Sequence, residues 1–557
     1  MKHIKYFITG LLVLIGVGQA ISQETAAPQR GEIRDTEFII RKDRVLSLPR
    51  QSRVFESSPT LPPVANSINY NYEVKSFAVK LAPVNLEFQP YQKSFIAPES
   101  DETQTRIKLG FGNYSSPLIQ ADFHTASVED YTFGAHFKHQ GFYTGPVDGA
   151  NSAEDHTAFL LNGSYYKDDF ELFGKLGYER DMLHFYGYTP DPETEIMQDS
   201  IRQVFGSLKA MAGIRRIDRT EPFDYDANIA LRLFNDSFEA RESEALIRAN
   251  AGFRANDFLK GGINSFIAFT SPTDINYEDI SRNYFKLHPY VQYAKDAFFI
   301  KVGANVIQEN DIVPNKSKDF HIYPVLGLSY QVVPELGIYG NYEGDVIRNT
   351  YYNFIRENPF LGPSEDLKNT LVNFQLDAGI SGKVNEQAHY KVGFKYGDFT
   401  NMHFYGNNEM DSTRFQLIYD NNSKVLEYHA SLDYSFDDWY QLDASAHFYQ
   451  YTLEEINAAW HRPEWEVKIN NTFTPDEKWL IHANLNAMGG INVLNLASGN
   501  QMKLNTIVDL HIGADYAVTD RVSVFVTGNN LLNQDYQRFN YYPVRGIQVT
   551  GGVGFKF

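Results

Sequence analysis

Three pairs of residues in the sequence combine histidine with a second potential metal ligand. They are His136 with His139, Asp443 with His447, and Asp509 with His511. If these segments are strands, the first pair points to opposite faces, because side chains three positions apart alternate. The members of the other two pairs share a face and could bind a cation. A polar, hydrated face explains them more simply, so we predict no metal site and no cofactor.

The sequence lacks the motifs of common enzyme classes. It contains no H-E-x-x-H zinc motif, no P-loop and no G-x-S-x-G nucleophile elbow. The 557 residues include no cysteine, which excludes disulfides and cysteine-based metal sites. The formal net charge of −19 disfavours nucleic-acid binding, which requires a basic face. We therefore predict a protein that is not an enzyme and has no nucleic-acid partner.

The carboxy-terminal segment shows which kind of element positions these residues. One parity between positions 547 and 557 is mostly apolar, and it comprises Ile547, Val549, Gly551, Val553, Phe555 and Phe557. The other parity comprises Gln548, Thr550, Gly552, Gly554 and Lys556. A β-strand sends successive side chains to opposite faces, so this strand has an apolar and a polar face. Its length suits a tilted strand across a bilayer, which needs about 9–11 residues.

The same alternation recurs along most of the chain. It is clear in the segments 170–179, 372–381, 426–436, 440–449, 464–473, 479–487 and 508–516. Long alternating segments joined by short polar turns are typical of a transmembrane β-barrel, which leaves no backbone edge unpaired in lipid. We count about 20–24 candidate strands and, because bacterial barrels close on an even number, we predict about 22. The fold class is therefore all-β, a transmembrane antiparallel barrel with a short extended N-terminal segment.

Composition supports the barrel. Only 21% of the residues are charged, yet there are 36 Tyr and 41 Phe. Aromatic residues near strand ends would form interfacial girdles, and the candidates are Tyr434, Trp439, Tyr440, Trp465, Trp479 and Tyr516. The alternative is a large soluble β-protein, but strands in globular proteins usually have about 5–6 residues.

The chain divides into three regions. Residues 1–20 resemble a signal peptide, with a basic start, a short apolar stretch and small residues at the cleavage positions. Residues 21–103 form a proline-rich, basic and extended segment, periplasmic or lumenal. Residues 104–557 form the outer-membrane barrel. We therefore predict the outer membrane of a Gram-negative bacterium as the location, with its lipid as a partner.

Two long segments between strands carry clusters of aromatic residues. The residues singled out are Tyr351, Tyr352, Phe360, Tyr541 and Tyr542. Exposed in external loops, such rings could stack on sugars or bind a partner. The favoured interpretation is that they lie at the membrane rim, where tyrosine is common in barrels.

The last thirty residues resemble the closing hairpin of TonB-dependent receptors. The resemblance lies in Gly528-Asn529-Asn530-Leu531-Leu532-Asn533, Tyr542-Pro543, Arg545-Gly546 and the terminal Phe557. Glu357-Asn358-Pro359-Phe360-Leu361 is also similar to an Asn-Pro-x-Leu element of their barrels. The resemblance implies uptake across the outer membrane. It also implies that Val553, Phe555 and Phe557 form the signal read by the barrel-assembly machinery.

The N-terminal region departs from that family. Receptors of this kind carry a plug domain of well over a hundred residues, whereas about eighty Pro-interrupted residues are available here. The segment Asp35-Thr36-Glu37-Phe38-Ile39-Ile40 resembles the short box that pairs with TonB by strand addition. We favour its interpretation as a simple strand or linker, because such hexamers are common.

A barrel of this width without a plug would leak solutes. Long loops folding inward, the N-terminal segment entering the lumen, or a partner protein could each close it. The basic residues of 30–60 and the acidic strand residues suggest that this segment docks in or under the barrel. Two functions remain open: transport through the lumen, or a non-transporting subunit of an outer-membrane assembly, export or surface-lipoprotein complex. The second function implies a periplasmic or surface lipoprotein partner.

Overall fold

The structure is a computed structural model. It describes residues 104–557 apart from 126–129, 191–192, 194, 218–220, 276–279, 311–318, 363–364, 409–410 and 497. The predicted signal peptide, the extended segment 21–103 and the TonB-box-like residues Asp35, Thr36, Phe38, Ile39 and Ile40 lie outside the described residues.

Strands form nearly all of the regular structure in the described residues. The strands of the first half are β1 (Gln104–Gly112), β2 (Ser116–His124), β3 (Tyr131–Phe142), β4 (Glu154–Lys167), β5 (Phe170–His184), β6 (Arg202–Arg216), β7 (Phe223–Asn235), β8 (Arg241–Asn256), β9 (Leu259–Thr273), β10 (Arg282–Lys295), β11 (Phe298–Glu309), β12 (Phe320–Val333) and β13 (Leu336–Ile347). One α-helix, α1 (Tyr351–Glu357), follows β13.

The second half continues the same pattern with shorter strands between the long ones. Its strands are β14 (Thr370–Asn385), β15 (Ala388–Thr400), β16 (Met402–Asn407), β17 (Phe415–Asp420), β18 (Ser423–Phe436), β19 (Tyr440–Thr452), β20 (Trp465–Phe473), β21 (Trp479–Gly489), β22 (Asn492–Asn495), β23 (Asn500–Lys503), β24 (Ile507–Ala517), β25 (Val522–Asn529), β26 (Gln537–Phe539), β27 (Tyr542–Pro543) and β28 (Gln548–Lys556).

Twenty-two of these strands form one antiparallel sheet that closes on itself. Sequence neighbours pair, and the first strand pairs with the last, with Ile107 opposite Phe555 and Gly110 opposite Gly552. The remaining three pairs, β16–β17, β22–β23 and β26–β27, are small hairpins in loops. The predicted antiparallel barrel and the preferred strand number of 22 are confirmed. Among the described residues, no helix is long and apolar enough to cross a bilayer.

Alternation of side chains gives the wall its two faces. On β28, Val549 and Val553 are 42% and 38% exposed, and the terminal Phe557 is 72% exposed. The same outward apolar band continues on β1, where Leu109 and Phe111 are exposed. In water such a continuous surface would be unfavourable, because each exposed Å² of apolar surface costs about 25 cal/mol. Lipid is the environment that fits this outer face.

The two ends of the barrel differ in the length of their connections. On the side where Phe557 ends the chain, two to six residues separate successive strands. On the other side the connections have three to 22 residues. Outer-membrane barrels have short periplasmic turns and longer extracellular loops, so the second side is the extracellular end.

Aromatic residues line part of the periplasmic rim, as the sequence predicts. Trp439 packs edge-on against Phe436 with ring centroids 5.6 Å apart, and Tyr440 lies 4.7 Å from Phe473. Trp479 and Tyr516, on neighbouring strands, have centroids 4.6 Å apart. Trp465 lies instead at the extracellular start of β20. The predicted girdle is therefore present along these strands.

Candidate functional site

The largest buried apolar cluster in the described part of the chain lies in the extracellular loops. Four loops supply most of it: loop A (185–201), loop B (348–369), loop C (401–422) and loop E (530–547). We call it the cap cluster, and its buried members are Leu183, Phe185, Phe205, Phe234, Ala240, Tyr351, Phe354, Ile355, Leu361, Leu367, Tyr405, Phe415, Phe539 and Tyr542. Partly buried rings, among them Tyr186 and Phe360, pack against it.

The positions of these loops on the barrel require that they cross its mouth. Eight barrel strands separate loop A from loop B, eight separate loop B from loop E, and six separate loop E from loop A. Loops that start about a third of the circumference apart can share one cluster only by folding over the opening. The extracellular mouth is therefore covered by the protein's own loops. This is the first of the three closures considered from the sequence.

Phe360 of loop B lies where three loops meet. Its ring stacks on Tyr542 of loop E at 3.5 Å between centroids and lies 5.9 Å from Phe539. It also contacts loop A, with its centroid 6.5 Å from Phe185 and 6.0 Å from Tyr186. Aromatic pairs of this kind contribute about 0.5–1.5 kcal/mol each beyond their buried area. Phe360 therefore joins the cap at its centre.

Helix α1 of loop B is fixed to the barrel wall at its first turn. The Thr350 hydroxyl caps the helix by accepting from the backbone N–H of Asn353 at 3.2 Å. The Glu242 carboxylate of β8 accepts from the backbone N–H of Tyr351 at 2.8 Å. The Tyr351 hydroxyl then donates to Asp236 at 2.9 Å. A negative group at a helix N-terminus is favourable, so the wall determines where loop B starts.

Both ends of loop B are held by one arginine of the wall. Arg282 of β10 donates to the backbone carbonyl of Asn349 at 2.6 Å and to the Asn369 side chain at 2.7 Å. Arg348, just after β13, forms an ion pair with Glu244 at 2.5 Å. Burial, opposed by the charge of Glu244, lowers the pKa of Arg348. These buried contacts fix the base of the loop, so that its apex can extend over the mouth.

His461 joins three loops inside the cap. It belongs to loop D (453–464), is 2% exposed, and its Nδ1 lies 2.6 Å from the carbonyl oxygen of Tyr405 in loop C. Its Nε2 accepts from the backbone N–H of Asn540 in loop E at 3.4 Å. This pattern requires the neutral ring with its proton on Nδ1. Burial lowers the pKa of His461 to about 3, so the ring is neutral at pH 7.

Loop E is tied down on its other side by Arg545. The guanidinium donates to the Glu154 carboxylate at 2.6 Å, to the Ser152 carbonyl at 2.9 Å and to the Thr144 carbonyl at 3.2 Å. These partners belong to the loop between β3 and β4 and to the first residue of β4. The arginine that the sequence places in the receptor-like closing hairpin therefore anchors the cap.

A cavity of about 380 Å³ lies in the lumen next to the cap. The inward faces of β14, β15, β18, β19, β20 and β21 form one side, and loops C, D and E form the other. Its charged lining residues are Lys395, Glu427, Arg462, Glu466 and Arg538. Its apolar lining residues include Phe399, Met402, Val425 and Met488. The cavity lining therefore combines charged and apolar side chains.

Ion pairs across the cavity rim connect it to the cap. Arg462 lies 2.7 Å from Glu357, the last residue of α1, and the same carboxylate lies 2.9 Å from His403 Nε2. Burial acts to raise the pKa of Glu357, but the hydrogen bond with His403 and the charge of Arg462 outweigh it, and the pKa falls to about 2. Burial lowers the pKa of His403. Glu357 is therefore ionised at every physiological pH.

The structure places four of the five predicted loop aromatics, all but Tyr541, in or against the cap cluster, and not at the membrane rim. Tyr351 and Tyr542 are 2% and 3% exposed, so neither is free to stack on a sugar. Tyr352 is half-buried and lies under Arg232, with the guanidinium 4.0 Å from its ring centroid. Phe360 is also half-buried, and the Tyr541 hydroxyl accepts from the backbone N–H of Leu496 at 3.3 Å. The interpretation as rim residues is wrong for Tyr351 and Tyr542, because their loops fold inward.

The histidine pairs do not form sites together. His136 bonds to Asp122, whereas His139 bonds to Thr157 at 2.9 Å on the other face of β3. His447 pairs with Glu427 at 2.8 Å, and not with Asp443. His511 bonds to Asn529, and the Asp509 carboxylate accepts from the backbone N–H of Asn530 at 3.0 Å. Within the described residues, no group of three potential ligands has the arrangement of a metal site.

Val553, Phe555 and Phe557 lie on the outer face of the closing strand. Their side chains are exposed to the lipid side, and Val553 and Phe555 stand opposite Leu109 and Ile107 of β1. Recognition of these residues by the assembly machinery stays a prediction. The cap cluster was not foreseen, although Asn-Pro-Phe-Leu and Tyr-Tyr-Pro in loops B and E mark the residues that meet at its centre.

A closed 22-stranded antiparallel barrel with an apolar outer face defines an outer-membrane β-barrel protein, as predicted. Its fold matches solved structures of iron transporters and siderophore receptors. A mutant of the ferric enterobactin receptor PfeA of Pseudomonas aeruginosa is similar with a TM-score of 0.61 and 9% identity, over 83% of this chain and 81% of that chain.

Two further structures show the same likeness. The iron transporter FrpB of Neisseria meningitidis has a TM-score of 0.62 and 9% identity, over 82% of each chain. The siderophore receptor PirA of Acinetobacter baumannii has a TM-score of 0.62 and 8% identity, over 83% of this chain and 81% of that one. No family model matches the sequence, and the comparison with curated protein sequences finds no match. At these identities the likeness shows the fold, and the predicted resemblance is confirmed at that level.

Proposed function

We propose that the protein is a receptor-type transport barrel of the outer membrane, whose extracellular entrance is gated by its own loops. The observation that carries the proposal is the cap cluster, in which loops from three points of the rim meet around Phe360. A cap that closes the mouth has a use if solutes pass through the lumen. The fold shared with iron and siderophore receptors supports transport over catalysis.

The test is the conductance of the purified full-length protein in planar lipid bilayers. Phe360→Ala removes the ring that joins loops A, B and E, and we expect larger or more frequent openings than in the wild type. Phe253→Ala is the matched control, because Phe253 is 55% exposed on the outer face of β8 and contacts lipid. Both variants must retain the gel shift on heating that folded barrels show. Equal conductance of Phe360→Ala and wild type would refute gating by the cap.

A cysteine pair gives the opposite perturbation. The side chains of Asn407 in loop C and Asn540 in loop E meet at 3.2 Å, and the natural chain contains no cysteine that could form a competing disulfide. In Asn407→Cys/Asn540→Cys, oxidation should reduce conductance and reduction should restore it. If conductance is the same in both states and a protein partner co-purifies in equal amount, the protein is instead the non-transporting subunit considered from the sequence.

The alternative to a linker, pairing of the segment Asp35–Ile40 with TonB as the resemblance implies, can be tested separately. Deletion of residues 35–40 should abolish energy-dependent uptake by cells while leaving the conductance of the purified barrel unchanged. Energised uptake that survives the deletion would assign this segment to a linker.

A further inference from the structure

The cavity next to the cap has hydrogen-bond donors that the described residues leave without acceptors. Arg538 donates through Nη1 to the backbone carbonyl of His461 at 2.9 Å, but no carboxylate of the described residues lies within ion-pair distance of its guanidinium. The Nε of Arg462 is a buried donor without a partner. The Tyr449 hydroxyl makes no hydrogen bond to a described residue. The Arg538 guanidinium and the Tyr449 hydroxyl therefore border one cavity of about 380 Å³ with donors to spare.

The two carboxylates that line the same cavity already have partners. Glu427 accepts from His447 at 2.8 Å and lies 3.7 Å from Lys395. Glu466 pairs with Lys468 at 2.7 Å. The excess is thus one of donors and of positive charge, and Arg538 carries it. A buried cation without a counter-ion is costly, and a bound anion would remove that cost. Burial and the like charge of Arg462 lower the pKa of Arg538, and the negative charges of Glu357 and Glu466 offset this only in part.

Part of the cavity wall is apolar. Phe399 of β15, Met402 of β16, Val425 of β18 and Met488 of β21 line it. A small inorganic anion would satisfy the donors but leave these apolar side chains hydrated. Burying an apolar group against them would contribute about 25 cal/mol for each Å² removed from water. The volume lies within the range of about 300–1,000 Å³ typical of ligand pockets.

We propose that this cavity binds a small organic anion with a carboxylate at one end and an apolar ring or chain at the other. Arg538 holds the carboxylate together with the Tyr449 hydroxyl, and the methionine and phenylalanine side chains cover the apolar part. This inference rests on the proposed transport function, because it names the class of solute that passes the cap. Binding itself does not require transport, so the two can be tested separately.

The probe is benzoate, which has both features and fits the volume. Overnight equilibrium dialysis of radiolabelled benzoate against the full-length protein in detergent measures binding even if access past the cap is slow. We expect saturable binding that benzyl alcohol, which lacks the charge, and inorganic phosphate, which lacks the ring, compete for at least about tenfold less well. A charge-assisted hydrogen bond contributes enough for a factor of about ten or more.

Two variants locate the site. Arg538→Gln should weaken benzoate binding about tenfold or more, and Tyr449→Phe, which keeps the ring and removes one donor, should weaken it severalfold. Arg521→Gln, an exposed arginine in a periplasmic turn, is the matched control and should bind like the wild type. Heat-dependent gel mobility confirms that each variant is folded.

Several results would contradict binding of an organic anion in this cavity. Absence of saturable benzoate binding, or unchanged binding in both Arg538→Gln and Tyr449→Phe, would overturn the proposal. Phosphate competing as well as benzoate would overturn the apolar half of the ligand, and benzyl alcohol competing as well would overturn the anionic half. If benzoate fails to bind while Phe360→Ala still raises conductance, the transport function stands and this inference fails. If benzoate binds while Phe360→Ala leaves the conductance unchanged, this inference stands and gating by the cap fails.

Discussion

Acidification should loosen the cap through His461. The neutral ring receives one hydrogen bond and donates another inside the cap, where burial lowers its pKa to about 3. A loop that opens exposes the ring to water and restores its ordinary pKa of about 6.5. The open form therefore binds a proton that the closed form does not, whenever the pH lies between about 3 and 6.5. The sign is thus fixed: His461 disfavours the closed cap progressively as the pH falls below 6.5.

The magnitude follows from the linkage of protonation to opening. Each pH unit below 6.5 favours the open form by about 1.36 kcal/mol, so at pH 5 the contribution is about 2 kcal/mol. That corresponds to roughly a thirtyfold larger opening constant. The value at pH 5 hardly depends on the pKa in the closed cap, because that pKa lies well below the working pH. At pH 7 the contribution vanishes.

Glu365 of loop B opposes this effect. Burial raises the pKa of its carboxyl to about 7, so the closed cap binds a proton more readily than the open one between about pH 4.5 and 7. The contribution of Glu365 to closure grows as the pH falls. In the wild type, the pH dependences of cap opening due to His461 and to Glu365 therefore partly cancel. His461→Gln should therefore make the cap tighter on acidification, whereas Glu365→Gln should make it looser.

The assay is amide hydrogen exchange of peptides from loops C, D and E at pH 7 and pH 5, corrected for intrinsic exchange rates. Gln at position 461 can still donate to Tyr405 and accept from Asn540, so the packing is largely preserved. The change in opening constant between the two pH values should differ about thirtyfold between wild type and His461→Gln. His389→Gln, an exposed histidine on β15, is the control. A difference smaller than about threefold would refute the reasoning.

Three further predictions concern the wall and its closure. A methyl group at Gly552 would clash with the carbonyl oxygen of Leu109 where the last strand pairs with the first. Gly552→Ala should therefore destabilise the folded barrel by about 1–3 kcal/mol in urea titrations. Gly551→Ala, whose methyl would lie 3.6 Å from the nearest atom, should leave the stability unchanged. Arg282→Gln leaves buried acceptors at both ends of loop B, and faster hydrogen exchange of this loop should reveal a loss of about 3 kcal/mol, with Arg521→Gln unchanged. Deletion of Phe557, which is 72% exposed, should lower the yield of folded barrel in cells without changing the stability of refolded protein, and an unaltered yield would contradict its role in assembly.

The barrel wall could be predicted from the sequence because strand alternation is a local property. Ile547 to Phe557 shows its two faces within eleven residues, and the same period repeats wherever a long strand occurs. The strand number followed from counting such segments and from the requirement of even closure. Aromatic residues at the periplasmic rim followed in the same way.

The cap could not be predicted, because its contacts depend on how the ring closes. Tyr186 donates to the carbonyl of Pro543, 357 positions away along the chain. Phe360 meets both of these loops only because strands β13, β25 and β5 end at well-separated points of one circular rim. Loops B and E were recognised as long and aromatic, but nothing in their own residues shows whether they fold inward or outward. The donors of Arg538 and Arg462 likewise meet only once loops D and E are placed together.

The cap also has a mechanical consequence. A wide β-barrel resists stretching along its strands far better than it resists flattening of its circular cross-section. The loops of the cap connect three separated points of the extracellular rim to one cluster. Flattening that rim would have to break aromatic contacts in the cluster, so the cap stiffens the extracellular rim against deformation. At the other rim the fully described connections are turns of two to five residues, too short to cross the barrel. Lateral pressure from the surrounding lipid should therefore distort the periplasmic rim first.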